Sequence, residues 1–134
     1  MIQVPLRLKQ IIEIICRAIR EKKVIEFHFE SDSGNKGLRK IKPYMVYIND
    51  KDEIKVAGLP RELWNIKGKK QPRHYLLEKI NLNELEVLEE KFNDPGVPRE
   101  IVVATKIVRI ICRFIYDDED EKEIMPLWQK IKYV

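Results

Sequence analysis

Nine cations crowd the middle of this chain: Arg39, Lys40, Lys42, Arg61, Lys67, Lys69, Lys70, Arg73 and Lys79, with Tyr44, Tyr47, Trp64 and Tyr75 set among them. Cations at this density track phosphates, and aromatic faces stack on unpaired bases at about 1–3 kcal/mol per base. Residues 36–79 carry +7, whereas residues 80–134 carry −4 and the whole chain only +4. A middle this basic is the electrostatic footprint expected of a protein that meets a polyanion. The plainer reading is that the lysines solvate a surface and that Tyr44 and Tyr75 belong to the core. Trp64, inside the polar stretch "LPRELWNIKGKKQP", is the better stacking candidate.

Other chemistries find less support. His28 and His74 are the only histidines. His28 alternates outward in "VIEFHFE" and reads as a surface residue. His74 is flanked by Arg73 and Tyr75, where it could meet a phosphate, but neither a paired acid nor a nucleophile stands near it in sequence. G-x-S-x-G, H-E-x-x-H and P-loop patterns are missing from the sequence, and "GNKG" and "GKKQ" read as turns. Two histidines and two cysteines inside apolar segments make no convincing zinc site. The expectation is a non-enzyme with no cofactor and no metal.

The length of 134 residues suits one domain or one domain with an appendage, long enough to bury a core without staples. No apolar run approaches the roughly 18 residues of a membrane span. Met1 to Val24 carries charges throughout, so no leader is expected and the expected compartment is the cytoplasm. There Cys16 and Cys112 are expected to be thiols that pack as small hydrophobes. A disulfide between them is the less favoured alternative.

The elements that must position these groups follow from periodicity. Pro5 to Lys22 reads as a helix with an apolar stripe of Ile11, Ile12, Ile15 and Ile19. Val24–Glu30 alternates with a period of two, as a half-buried strand does. Leu38–Ile48 is a second strand, in which Pro43 requires an edge or a bulge. Ile54–Gly58 is a third strand, with a helical turn at Arg61–Asn65, and Arg73–Leu77 is a fourth. "INLNELEVLEEKF" fits helix and strand alike. Arg99–Tyr116 is rich in β-branched residues, yet Lys106, Arg109, Arg113 and Asp117 recur at helical spacing, which predicts a helix. Beyond the acidic run Asp117–Glu123, Pro126 marks a further helical start. Sequential short strands with tight turns predict a small antiparallel barrel.

The ordered set "IIEIICRAIREKKVIEFHF", "LRKIKPYMVY", "DEIKVAG" and "RHYLLEKINLNELEVLEEKFNDP" resembles the WYL domain, a small SH3-like or Sm-like barrel of bacterial regulators. The resemblance runs from about Ile11 to Pro95. Arg39, Pro43 and Tyr44 match its R-x-x-x-P-Y segment, and Arg73, Tyr75, Leu77, Lys79 and Ile80 match its later R-x-F-x-L-D-R-I strand. Glu53, Ile54 and Lys55 stand where the family has its name-giving triplet, and Lys79 stands where it has arginine. No room for the family's winged helix-turn-helix precedes Leu6.

The resemblance implies an α+β fold, an SH3-like barrel of about five strands with an N-terminal helix over residues 1–95; the helical spacing beyond it predicts a C-terminal helical extension over 96–134. Leu85–Leu88 becomes its last strand. It also implies a non-catalytic regulatory module that binds single-stranded nucleic acid or a small nucleotide-like anion through Arg39, Tyr44, Tyr47, Arg61, Trp64, Arg73, His74 and Lys79. The alternative is an oligomerisation module. "IIEIICRAIRE" at Ile11 is nearly repeated as "IVRIICRFIYD" at Ile107. The second copy, through Ile107, Ile110, Ile111 and Phe114, is expected to form the interface of a homodimer.

Overall fold

The computed structural model describes residues 4–68, 70–98, 100–116 and 130–133. Helix α1 (Leu6–Glu21) buries Leu8, Ile11, Ile15, Cys16, Ala18 and Ile19 on one side and leaves Arg17 in water. Arg7 fastens its first turn by donating to the carbonyls of Ile80 and Glu78, both at 3.0 Å. At its end Lys22 adopts the left-handed conformation (φ 59°), and its N–H returns to the carbonyls of Ala18 and Ile19. That closes the helix within one residue, so β1 (Lys23–Glu30) begins at once.

The strands β2 (Lys36–Asn49), β3 (Ile54–Pro60), β4 (Arg73–Leu76), β5 (Glu86–Lys91) and β7 (Ile107–Arg113) complete a six-stranded antiparallel sheet. Its path is β4-β3-β2-β1-β5, with β7 added to β2. The two remaining strands, β6 (Glu100–Val103) and β8 (Lys130–Tyr133), pair in parallel with each other. The core lies between α1 and the sheet. Phe27, Ile41, Tyr44, Met45 and Val46 are wholly buried there with Ile11 and Ile15. In β1 the alternation read from sequence is seen directly: Ile25 and Phe27 are buried, and His28 and Glu30 are exposed.

One strand organises the rest. The first half of β2 pairs with β1 from Lys36 to Ile41, and its second half pairs with β3 from Ile41 to Ile48. The edge that β1 leaves open beyond Ile41 is taken by β7, from Met45 to Asn49. Pro43, which has no N–H to give, sits at the register shift between Pro43 and Met45. Opposite it stands Gly58. A Cβ there would lie 2.7 Å from Ile41 Cδ1 and 2.9 Å from the Lys42 carbonyl oxygen, so only glycine permits this approach. At the far end Asn49 is fully buried, and both ends of its amide are used. Its Oδ1 accepts from the N–H groups of Lys51 and Glu53, and its Nδ2 donates to Glu53 Oε1 and Thr105 Oγ1. The β2–β3 turn is thereby tied to the chain entering β7.

Four expectations are corrected. The sheet does not close into a barrel: β4 ends after four residues in a 3-10 turn (Leu77–Lys79) and never pairs with β5. The second "IICR" copy is a strand and not a helix. Arg109 and Arg113 are four apart, which is two strand periods as well as about one helical turn, so that spacing discriminates neither. The β-branched run and the open edge of β2 decide for strand. Of the expected C-terminal helix the structure describes only Lys130–Tyr133, which is extended; its start at Pro126 and the acidic run Asp117–Glu123 lie outside the described residues. Lastly, Cys16 and Cys112 are joined by a disulfide, with their Cα atoms 5.9 Å apart. Pairing β7 with β2 beneath α1 brings the two sulfurs together, within ordinary bridging distance.

Of the residues expected at a dimer interface, Ile107, Ile110 and Ile111 are half-buried and Phe114 is wholly buried within its own chain. Phe114 stacks on Phe92 at 5.6 Å and meets Tyr116 edge-on at 5.1 Å.

Two substitutions test this packing. Ile15→Ala should lower the unfolding free energy by about 2–5 kcal/mol. Gly58→Ala should lower it by about 1–3 kcal/mol, because its new methyl meets backbone as well as a side chain. Urea denaturation followed by circular dichroism measures both; a near-neutral Gly58→Ala would mean that the crossing of β2 and β3 is looser than described.

Candidate anion-binding cleft

After Pro60, which pairs with Ile41, the chain leaves β3 through a short 3-10 turn (Arg61–Leu63) capped by Trp64. Trp64 Nε1 donates to the Leu59 carbonyl at 2.8 Å, which folds the indole back toward β2. Lys40 and Lys42, two residues apart on β2 and therefore on one face of it, hold their ammonium groups 5.7 and 4.9 Å from the indole centre. A cation at this distance is attracted by the ring quadrupole. Glu90 also engages Lys40, at 3.0 Å, and Glu26 lies opposite it in the β1–β2 register.

Between β2 and this turn opens a cleft of about 410 Å³, lined by Glu26, Leu38, Arg39, Lys40, Arg61, Glu62, Trp64 and Asn65. Its volume falls within the range usual for small-ligand sites, about 300–1,000 Å³. Leu38 is 53% exposed, so an apolar surface as well as cations faces the solvent. Arg39 donates to the Asn35 carbonyl at 3.3 Å, while its Nε is buried without a hydrogen-bond partner. Arg73 is exposed at the start of β4 and is not part of this lining. Burial raises the Tyr75 phenol, and Arg73 and Arg39 oppose that while Glu62 adds to it.

The eight residues named from sequence therefore divide. Arg39, Arg61 and Trp64 line one cleft, and Arg73 stands outside its lining. His74 and Lys79 line another, of about 190 Å³, with Phe29, Ser31, Asp32, Glu53, Lys55 and Leu76. Lys79 there is ion-paired with Asp32 and holds that carboxyl below its ordinary range. Tyr44 and Tyr47 are core residues, 0% and 2% exposed, and have no face to offer a base. Tyr75 is also buried, edge-on to Phe27 and Phe29. Sequence reasoning missed Glu26, Leu38, Glu62 and Asn65 as parts of the first cleft. The two-residue spacing of Lys40 and Lys42 was the available signal that both could reach one ring.

Tyr47 Oη and His74 Nδ1 lie 2.8 Å apart. Burial raises the Tyr47 phenol, helped by the Glu53 charge, so the hydroxyl keeps its proton and can donate to a neutral imidazole. His74 Nε2 is buried without a hydrogen-bond partner. Burial pushes the His74 pKa down to about 4; the nearby Lys55 ammonium acts in the same direction, and the Val102 backbone acts against both. Among the described residues no group of three His, Cys, Asp or Glu side chains could hold a metal, and no helix is long and apolar enough to cross a membrane.

The low pKa has a consequence for stability. An unfolded histidine titrates near 6.5. As the pH falls from there toward 4, the unfolded chain takes up a proton that the folded chain refuses, so stability is full above the window and falls within it. The loss should approach roughly 3 kcal/mol. His74→Gln, which can still meet Tyr47, should flatten that part of a plot of urea midpoint against pH. An unaltered acid limb in the variant would remove His74 as its cause.

No protein-family model matches the chain, and no curated protein matches it. Among solved structures, it is similar to proteasome accessory factor B/C (PafBC) of Arthrobacter aurescens, with a TM-score of 0.52 and 19% identity over 62% of this chain. The match spans 12% of that protein, so the likeness is one of fold over a small part of a larger molecule.

Proposed function

We propose that this chain is a non-catalytic regulatory module that binds a nucleotide-like anion in the cleft between β2 and the 3-10 turn, and so modulates a partner. The observation that carries this reading is Trp64, held beneath Lys40 and Lys42 in a cleft that also presents Arg39 and Arg61. An aromatic ring and an exposed leucine suit a flat, weakly polar ring, and the guanidinium groups suit phosphate. Glu26 and Glu62 share the cleft, and the buried Tyr44 and Tyr47 remove the extended stacking platform. Both features favour a small ligand over a long strand, with single-stranded nucleic acid as the alternative ligand. The regulatory part of the reading draws on the WYL-like residue pattern, and the fold likeness to a protein named as an accessory factor is in keeping with it.

A second reading, self-association through β7, is favoured by Val108, which is 56% exposed beside the half-buried Ile107, Ile110 and Ile111. Light scattering on the full chain separates it: a monomer at all concentrations removes this reading and leaves the cleft untouched.

Calorimetric titration with nucleoside monophosphates, beside a labelled oligonucleotide over a range of salt, tests the first reading. Trp64→Ala should weaken nucleotide binding by about 1–3 kcal/mol if a base stacks there. Arg61→Ala should weaken it by about 1.5–3 kcal/mol, as expected for a charge-assisted contact. Oligonucleotide affinity that falls steeply with salt, with no mononucleotide binding, would instead indicate a strand-tracking surface. Affinity that is indifferent to Trp64→Ala would rule out the cleft.

A further inference from the structure

β7 is an unusual partner for a disulfide. From Ile107 to Arg113 none of its residues is fully buried, Val108 and Arg109 face water, and its ladder with β2 shifts register twice in five pairs. Cys16, by contrast, is buried on α1, which is locked into the core by Ile11, Ile15 and Ile19. The covalent bond thus joins a strand whose Ile107, Ile110 and Ile111 are only half-buried against the core to a helix whose apolar side is fully buried. Cys112 is half-buried whereas Cys16 is buried, so Cys112 is the more exposed residue of the pair. Fixed points flank the strand. Asp50 N–H donates to the Lys106 carbonyl at 2.9 Å, and Phe114 is buried with its N–H on the Tyr44 carbonyl. β7 is the stretch between these two anchors.

We propose that the Cys16–Cys112 disulfide is a reducible clasp: a dithiol reductant opens it in the folded protein and thereby loosens β7 from the edge of β2. A thiolate of the reductant attacks Cys112 Sγ, the S–S bond breaks, and Cys16 Sγ leaves as a thiolate that takes up a proton. The second thiol of the reductant, as its thiolate, then attacks the mixed disulfide and releases Cys112, which is protonated in turn. The reductant ends as an internal disulfide and the protein as two thiols, with two electrons and two protons transferred. In the reduced state the backbone of Met45–Asn49, covered by β7 when the bond is closed, gains access to water. This inference rests on the fold and is independent of the ligand proposed for the cleft.

Amide hydrogen exchange of the full chain, read by mass spectrometry before and after treatment with dithiothreitol, tests the clasp. A double variant, Cys16→Ser with Cys112→Ser, is measured without reductant to separate bond loss from the reagent itself. Expected is exchange at least about tenfold faster over residues 107–113 in both the reduced protein and the variant. Amides of α1 and β1 to β3 should change by less than about threefold, and reoxidation should restore the slow rate. A bond that survives the dithiol while the protein stays folded overturns the proposal, as does unchanged exchange over β7. Acceleration of all elements together would also overturn it, because the disulfide would then be a staple for the whole fold.

Discussion

β2 has two edges and three partners, and the rest of the molecule follows from how it divides them. A straight strand offers each edge to one neighbour. Here a register shift at Pro43 separates an outer half, paired with β1, from an inner half, paired with β7, while β3 runs along the opposite edge. Gly58 admits the close crossing at that point, and Asn49 satisfies the turn at the end with four hydrogen bonds. Any of the three failing would misplace more than one neighbour, because each lies where two pairings meet.

The same division separates chemistry from structure. The outer half of β2 carries Leu38, Arg39, Lys40 and, at the bend, Lys42, all turned toward or beside the Trp64 cleft. The inner half carries Tyr44, Met45, Val46 and Tyr47, which are core. A solvated, charged half and a desolvated, apolar half of one strand require different neighbours. β5, whose edge is charged by Glu86, Glu89, Glu90 and Lys91, lies beyond β1 on the solvated side. α1 covers the apolar side. Tyr47 is the exception that shows the cost of burial: its hydroxyl is desolvated, and it is met by His74, an imidazole kept neutral by the same surroundings.

Much of this was legible in the sequence because local periodicity and burial agreed. α1 and β1 to β4 fall where alternation and turn residues placed them, and Pro43 sits at the bulge that its missing N–H demands. The 3-10 turn after Pro60 and the gathering of Arg39, Arg61 and Trp64 were also readable, since a tryptophan in a polar loop beside cations has few other uses. What failed depended on partners distant in sequence. Tyr44 and Tyr47 look like any aromatic residues between lysines, and only the covering of β2 by β7 and α1 makes them core. The Ile107 segment reads as a helix or a strand according to whether an edge of β2 is free to receive it. Barrel closure turns on where β4 ends, which no periodicity of β4 itself reveals.

The disulfide is the plainest case of information absent from local sequence. Compartment reasoning favoured two thiols, yet the fold places the sulfurs at bonding distance across a separation of 96 residues. What brings Cys112 to Cys16 is the pairing of β7 with the inner half of β2 beneath α1, and neither segment around a cysteine encodes that pairing by itself. The two cysteines, read from sequence as filler within an apolar repeat, thus join the two copies of that repeat, one on α1 and the other on β7.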